Sequence, residues 1–241
     1  MNAPIALFCY KRKEHTEKAI NALKKNMLAI NSILYVYSDG YKNDDDKEAV
    51  ENVRSYIKTI NGFEKVEIIE SPHNKGLARS IIDGVTDIVN KYGKIIVIED
   101  DVLVNPHFLE IINKALNMYE FDKEVSCISG FSYPININEQ SYFVRGAECA
   151  VWATWKRAWD IFESDGQKLL DEIQQKNYEF DFDFNGSYPY TQMLKDQIDG
   201  KNDSWAIRWL ASCYLKNMLC LYFKNSLNIN IGFGGGGDPL P

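Results

Sequence analysis

Three consecutive carboxylates, Glu99, Asp100 and Asp101, follow directly on the apolar run 95–98. Four β-branched residues in a row predict a strand that is buried on both faces, as in a parallel sheet. In open α/β sheets, the carboxyl ends of the strands carry the ligand site. Three adjacent like charges are unfavourable unless a ligand neutralises them, and a divalent ion bridging to phosphate oxygens would do so. The alternative is a solvated acidic turn before a helix that starts near Asn105-Pro106.

The composition is that of a globular protein with one domain. The 241 residues are 45% hydrophobic and 25% charged, which is enough to form a core. The net charge is −7, so we expect no nucleic-acid-binding surface. Because no apolar run is long enough to span a bilayer and the first residues lack the core of a signal peptide, we expect no transmembrane segment. Peripheral membrane association stays open.

The cysteines and histidines give no sign of a metal site of their own. The five cysteines are odd in number, scattered and without CxxC spacing, which predicts reduced thiols in a cytoplasmic protein. The three histidines lie in separate segments of the chain. The sequence therefore predicts no histidine-based metal site.

The first half of the chain alternates between strand and helix patterns. Strands are predicted over residues 4–9, 32–37, 66–69 and 95–98, and helices over residues 15–31, about 44–60 and 77–91. The acidic run 44–46 fits the N-terminus of the second helix, where the helix dipole favours negative charge. This alternation predicts βαβ units and a parallel, Rossmann-like sheet.

The second half predicts a less regular arrangement. Helices are predicted over residues 106–119 and 204–217, strands over 125–130, 219–223 and 226–231, and a long loop over 177–190. Trp152, Trp155 and Trp159 would share one side of a helix if the segment is helical from Trp152 onward. The last ten residues are rich in glycine.

The order of these motifs resembles the GT-A glycosyltransferases, and more narrowly the N-acetylglucosaminyltransferase that initiates complex N-glycans, with its bacterial relatives. The matching features cover most of the chain in the same order: the Arg12 loop after the first strand, Tyr37-Ser38-Asp39-Gly40, Ala78-Arg79, Val97-Ile98-Glu99-Asp100-Asp101, Cys127-Ile128-Ser129, Trp152-Ala153-Thr154-Trp155, Asn202-Asp203-Ser204-Trp205 and Asn230-Ile231-Gly232-Phe233. The chain departs from the family in having no histidine after Gly232-Phe233. The resemblance implies an α/β, mostly parallel central sheet with flanking helices and a mixed second half.

The resemblance also implies a division of labour within a single domain, residues 1–241. Residues 1–104 would bind a nucleotide-sugar, expected to be UDP-linked, and residues 105–241 would bind the acceptor, a glycan or a lipid-linked glycan. Asp101 would bind Mn²⁺ or Mg²⁺ directly, together with phosphate oxygens. Glu99 and Asp100 would hold metal-bound water or nucleotide hydroxyls.

The remaining nucleotide contacts are expected from Arg12, Asp39, Asn74 and Arg79. Asp39 would accept the N3–H of a uracil, and Arg12 and Arg79 would contact the base or the diphosphate. Two of these residues have structural alternatives. Asp39 precedes Gly40 and fits an Asx turn, and Arg79 fits a solvated charge on a helix.

The acceptor hydroxyl needs a base, and Asp203 matches the base of the resembled family. One positioned carboxylate suffices for direct displacement with inversion. Asp203 would equally serve as an N-cap before Trp205. Trp152 and Trp155 are expected to line the acceptor cleft by stacking on a sugar ring, with core packing as the alternative.

Two other functions stay open. A sugar-nucleotide pyrophosphorylase would share the sheet and a metal carboxylate, but it opens with a glycine-rich triphosphate loop, and residues 10–14 contain no glycine. A non-catalytic carbohydrate-binding protein would use the tryptophans and would leave the acidic triplet without a role. The donor sugar, the linkage and the oligomeric state cannot be predicted from the sequence.

Overall fold

A computed structural model of the protein describes residues 2–232, which form an α/β structure around one large sheet. The strands are β1 Ile5–Cys9, β2 Ile33–Ser38, β3 Lys65–Glu70, β4 Lys94–Glu99, β5 Val102–Val104, β6 Val125–Ser129, β7 Ser141–Arg145, β8 Val151–Trp155, β9 Leu219–Phe223 and β10 Asn228–Asn230. The helices are α1 Lys13–Lys24, α2 Asp44–Ile57, α3 Gly76–Tyr92, α4 Phe108–Met118, α5 Lys156–Trp159, α6 Gly166–Gln175, α7 Glu179–Phe182, α8 Tyr190–Ile198 and α9 Trp205–Leu215.

The eight-stranded sheet has the strand order β3-β2-β1-β4-β8-β6-β9-β7. The first four strands in this order are mutually parallel, and each is joined to the next along the chain by a helix. The predicted Rossmann-like parallel sheet, with flanking helices, is therefore confirmed. Strand β8 pairs antiparallel with β4 and joins the strands of the second half to the same sheet. The division into a nucleotide half and an acceptor half stays a prediction.

Both faces of the sheet are covered, and β4 shows how the sequence achieves this. Ile96 and Ile98 pack into the core on the side of α1, α2 and α4. Ile95 and Val97 point to the opposite face and pack against residues of α3, α5 and α9. Because side chains alternate along a strand, an uninterrupted apolar run is what a strand with two covered faces requires.

The predicted helix through the tryptophan segment is wrong in its first part. Trp152 and Trp155 belong to strand β8, and only Trp159 lies in a helix, α5. Three residues of separation in a strand place two side chains on opposite faces. Trp152 accordingly packs with the α3 side of the sheet and Trp155 with the α4 side.

Two further predictions for the second half are corrected. Residues 177–190 are not one long loop, because α7 lies within them and α8 begins at Tyr190. The predicted strand 226–231 is shorter: β10 covers three residues and pairs antiparallel with β5, outside the large sheet. The glycine-rich segment 233–241 lies outside the described residues.

Within residues 2–232, no helix is both long enough and apolar enough to cross a membrane. All five cysteines are unpaired; four are buried and Cys149 is half-buried. The prediction of free thiols is therefore confirmed.

Candidate functional site

A cavity of about 430 Å³ opens at the carboxyl ends of β1, β2 and β4 and at the N-terminus of α3. This is the sheet edge at which α/β proteins bind ligands. Five of the residues that we expected to contact a nucleotide line the cavity: Arg12, Asp39, Asn74, Glu99 and Asp100. The structure therefore brings together residues that are up to 88 positions apart in the chain.

Arg12, Glu99 and Asp100 form the charged end of this cavity, and Asp101 does not line it but contacts Arg12. One guanidinium nitrogen, Arg12 Nη2, lies 2.5 Å from Asp100 Oδ1 and 3.0 Å from Asp101 Oδ2. The Asp100 side chain is only 5% exposed, that of Asp101 17% and that of Arg12 40%. The two carboxylates thus converge on a single position that holds a positive charge, and the guanidinium nitrogen stands in that position.

Burial disturbs the titration of the triplet. Burial raises the pKa of Asp100, and the charge of Arg12 partly offsets this. Burial raises the pKa of Glu99 to about 8, with the charges of Asp101 and Asp100 adding to the effect. One guanidinium therefore leaves the triplet short of positive charge, which is the condition under which a divalent cation binds favourably.

The surroundings of Asp101 fit a metal ion that takes one or two protein carboxylates and completes its shell with phosphate and water. Among residues 2–232, no three His, Cys, Asp or Glu side chains converge closely enough to hold a metal by themselves. Gly232 lies directly against Asp101, because a Cβ atom built on it would lie 2.5 Å from Asp101 Oδ2. The Ile231 amide donates to the Asp101 carbonyl at 2.8 Å. The absence of a side chain at Gly232 keeps this carboxylate oxygen accessible.

Asp39 has a structural role that the sequence offered only as an alternative. Its Oδ1 accepts from the amides of Gly40 and Lys75, both at 2.9 Å, and its Oδ2 accepts from the Gly76 amide at 2.9 Å. The carboxylate therefore caps the first turn of α3, and its contact with Gly40 is to the next residue's amide, which is not an Asx turn. The Lys75 amide also donates to Oδ2 at 3.1 Å, so four hydrogen bonds occupy the acceptor positions of this carboxylate.

The loops around Asp39 approach each other closely. The Asn74 side chain donates to the Gly40 carbonyl at 2.8 Å. A Cβ atom at Gly40 would lie 2.5 Å from the His73 carbonyl carbon, so only glycine permits this approach. Asn74 thus holds the loop at Gly40 in place and also lines the cavity.

Arg79 does not line the cavity. Its Nε lies 2.8 Å from Asp83 Oδ1, one helical turn further along α3, and its side chain is 70% exposed. This geometry is that of a solvated ion pair on a helix. It favours the structural alternative for Arg79.

Asp203 lies just before α9 and does not cap it. The N-cap is Ser204, whose Oγ accepts from the Ile207 amide at 3.2 Å, so the capping alternative for Asp203 is wrong by one residue. The Asp203 side chain is 73% exposed, and its nearest cation is Arg208 Nη2 at 3.5 Å.

The first turn of α9 is anchored near the acidic sheet edge. Trp205 stacks on Trp152 with ring centroids 5.4 Å apart. Trp152 follows Val151, which pairs with Ile98 immediately before the acidic triplet. Asp203, two residues before Trp205, does not line the cavity.

The tryptophans that we expected in the acceptor cleft are core residues. Trp152 is fully buried and Trp155 is 2% exposed. Trp155 donates its indole N–H to the Leu116 carbonyl at 3.1 Å. Neither ring offers an open face for stacking on a sugar, so the burial favours the packing alternative.

Several residues that line the cavity were missed by sequence reasoning. Phe8 and Tyr37 stack with ring centroids 4.8 Å apart and an interplanar angle of 12°. Their positions within buried strands give no sequence signal that separates them from the core. Lys11 and Lys42 also line the cavity, and Lys11 had a signal, since it neighbours Arg12 in the same basic loop.

No protein-family model matches the chain, and no curated protein matches it. Among solved structures, residues 1–349 of TarS from S. aureus match with 11% identity and a TM-score of 0.39, over 54% of this chain and 35% of that one. The mannosyltransferase PcManGT from Pyrobaculum calidifontis, solved in complex with GDP-Man and Mn²⁺, matches with 12% identity and a TM-score of 0.43. That match covers 71% of this chain and 46% of the other. The chain thus spans less than half the length of these proteins, and its fold class is established by its own strand order.

Proposed function

We propose that the protein is a metal-dependent GT-A glycosyltransferase that transfers a sugar from a UDP-linked donor to a hydroxyl of a glycan or lipid-linked glycan, with inversion. One observation carries the proposal: Asp100 and Asp101 converge on a single cation position at the charged end of a cavity that an aromatic pair lines. A nucleoside diphosphate needs such a combination, because its base is flat and its diphosphate is anionic. We expect the protein to act in the cytoplasm, as the unpaired cysteines suggest.

The donor would lie along the cavity with its base toward Phe8 and Tyr37 and its diphosphate toward Arg12. Lys11 and Lys42 add positive charge to the same wall. Asp101 would hold Mn²⁺ or Mg²⁺, and a bound metal of this kind would neutralise charge on the departing diphosphate. Arg12 would then exchange its carboxylate partners for phosphate oxygens, for which its planar fork is suited.

The acceptor hydroxyl would lose its proton to Asp203. The stacking of Trp205 on Trp152 fixes the helix that follows Asp203, and a fixed base is what proton removal at a defined angle requires. A single base and no enzyme nucleophile imply inversion at the anomeric carbon. Nothing in the structure favours the pyrophosphorylase or the non-catalytic alternative over this assignment.

The first test is UDP binding by calorimetry with and without Mn²⁺. Asp101→Asn should weaken the Mn²⁺-dependent binding of UDP by about 1–3 kcal/mol, the usual cost of losing a charge-assisted contact. The matched control is Asp171→Asn, which removes an exposed carboxylate on α6. Equal UDP affinity in Mn²⁺ for wild type and Asp101→Asn would refute the metal assignment. GDP titrated in parallel tests the choice of base.

The second test concerns the base. Asp203→Asn should lower transfer by roughly 10²- to 10⁴-fold, the range for losing general base catalysis, while folding and UDP binding survive. Ser204→Ala is the control, because it removes the actual N-cap and should cost about 1 kcal/mol of stability without a comparable loss of turnover. Near-normal transfer by folded Asp203→Asn, or a product that retains the donor's anomeric configuration, would contradict the mechanism.

A further inference from the structure

A carboxylate without an assigned role, Glu148, lies in the connection between β7 and β8. Its Oε1 accepts from the amides of Cys149 at 2.8 Å and Ala150 at 3.2 Å, and its Oε2 accepts from the Tyr222 hydroxyl at 3.1 Å. These partners are two backbone amides and a phenol rather than a cation. The side chain is therefore fixed in position, and at least one acceptor position is left on Oε2.

The position of Glu148 in the sheet brings it next to the acidic edge. Strand β8 starts at Val151, whose partner is Ile98, the residue before Glu99. Burial raises the pKa of the Cys149 thiol, and the charges of Glu148 and Glu99 raise it further. A molecule that contacts Glu148 would thus lie beside the proposed donor site.

The tyrosine that contacts Glu148, Tyr222, is buried and packs against the half-buried Tyr133. The ring of Tyr222 lies 5.4 Å from that of Tyr133 between centroids. Burial raises the pKa of Tyr133 to about 12, and the charge of Glu148 contributes to this shift. Burial also raises the pKa of Tyr190, with Tyr133 and Glu148 as the next causes. Tyr222 and Tyr133, from two separate segments, therefore lie at this carboxylate, and the charge of Glu148 also acts on Tyr190.

Tyr190 is held in place from its other side. At the start of α8, its ring contacts those of Tyr188 at 4.5 Å and Phe184 at 5.6 Å between centroids. Phe184 and the following Asn185 adopt positive φ angles of 51° and 55°. These angles are uncommon for residues other than glycine and turn the chain sharply. The loop between α7 and α8 thus fixes the ring of Tyr190 at the start of α8.

We propose that Glu148, flanked by Tyr133 and Tyr190, is the subsite that recognises hydroxyl groups of a pyranose acceptor. A charged carboxylate oxygen accepts strong hydrogen bonds from sugar hydroxyls, and aromatic rings pack against the C–H face of the sugar. This assignment rests on the proposed function, since the subsite becomes an acceptor site only beside a donor. It gives the tyrosines the role that the buried tryptophans cannot fill.

The test is saturation-transfer NMR on the full chain with UDP and Mn²⁺ present. The probes are the methyl pyranosides of glucose, galactose, mannose and N-acetylglucosamine. We expect saturation of the protein to reach the ring protons of at least one probe. Glu148→Gln should weaken that binding by about tenfold, the effect of losing a charge-assisted hydrogen bond, and Tyr190→Ala should weaken it as well.

Two controls keep the test decisive. Glu110→Gln changes an exposed carboxylate on α4 and should leave pyranoside binding unchanged. Tyr190→Phe retains the ring, so it should bind more strongly than Tyr190→Ala even if the alanine variant folds poorly. Unchanged pyranoside binding by Glu148→Gln, or no saturation transfer to any probe in the wild type, would overturn the proposal. UDP affinity is measured on the same samples, so a failed donor site is distinguished from a failed acceptor subsite.

Discussion

The carboxylates at this edge of the sheet are held in different ways. Asp39 is bound by three backbone amides, that of Gly40 and two at the start of α3. Asp100 and Asp101 are bound by the side chain of Arg12. The first set of partners cannot be exchanged unless the loops around Gly40 and Gly76 come apart. The second is a half-exposed guanidinium on a flexible stem, which can turn to another anion.

This difference distinguishes a carboxylate that stabilises the fold from a pair of carboxylates whose partner can be exchanged. A carboxylate satisfied by main-chain amides stabilises the fold in every state of the protein. When a single side chain is the partner of two carboxylates, a ligand can replace that side chain. The kind of group that contacts a carboxylate, a backbone amide or a side chain, therefore indicates its function better than the length of the contact does.

Of the substitutions that test this comparison, Arg12→Ala should have the largest effect on stability. It leaves the buried Asp100 without its cation, which should lower the free energy of unfolding by about 1–3 kcal/mol, a range that allows for the partial exposure of Arg12. Because Mn²⁺ can occupy the vacated position, Mn²⁺ should restore much of this loss, as measured by urea unfolding with and without the ion. Arg12→Lys is the control that retains the charge. A loss of stability that does not respond to Mn²⁺ would show that the two carboxylates do not form a metal position.

Asp39→Ala should cost about 1–2 kcal/mol, because it removes the cap of α3. Mn²⁺ should not restore this loss, since the missing partner is an acceptor for amides and not a metal ligand. Urea unfolding measured under the same two conditions makes the comparison direct. Asp39→Asn retains an acceptor oxygen and should lose less stability. If Asp39→Asn keeps its stability and loses UDP affinity, Asp39 contacts the base as the resemblance implies.

Arg79→Ala should have the smallest effect. Its ion pair with Asp83 lies on the exposed surface of α3, where such pairs contribute at most about 0.5 kcal/mol. UDP affinity should stay within about twofold of the wild type, since Arg79 does not line the cavity. A tenfold loss of affinity in calorimetry would show that the side chain swings into the site.

The edge of the sheet proposed to bind the donor was largely predictable from sequence, because its signals are local. The run 95–98 specifies a buried strand, and the triplet that follows must lie at its carboxyl end. The partner of the triplet was predictable only as one of several basic residues, since the pairing of Arg12 with Asp100 depends on the order of β1 and β4 in the sheet.

The proposed acceptor side was less predictable, because its signals are ambiguous or absent. The spacing of Trp152 and Trp155 fits a helix, but the antiparallel pairing of β8 with β4 and β6 makes the segment a strand. Asp203 and Ser204 are both good capping residues, and geometry selects the second. Glu148 is a lone carboxylate in an irregular segment, so its tyrosine neighbours could be found only in three dimensions.

The distribution of tryptophan gives the protein an optical asymmetry. All five tryptophans belong to the second half of the chain, all are buried, and none lines the donor cavity. Trp152, Trp159, Trp205 and Trp209 contact one another with ring centroids 5.1–5.9 Å apart, which is close enough for their excited states to couple. Indole emission and near-ultraviolet dichroism therefore report on the docking of α9 against β8. The proposed nucleotide would instead change the signal of the tyrosines that line the cavity, Tyr10 and Tyr37, so the two halves could be followed separately in one sample.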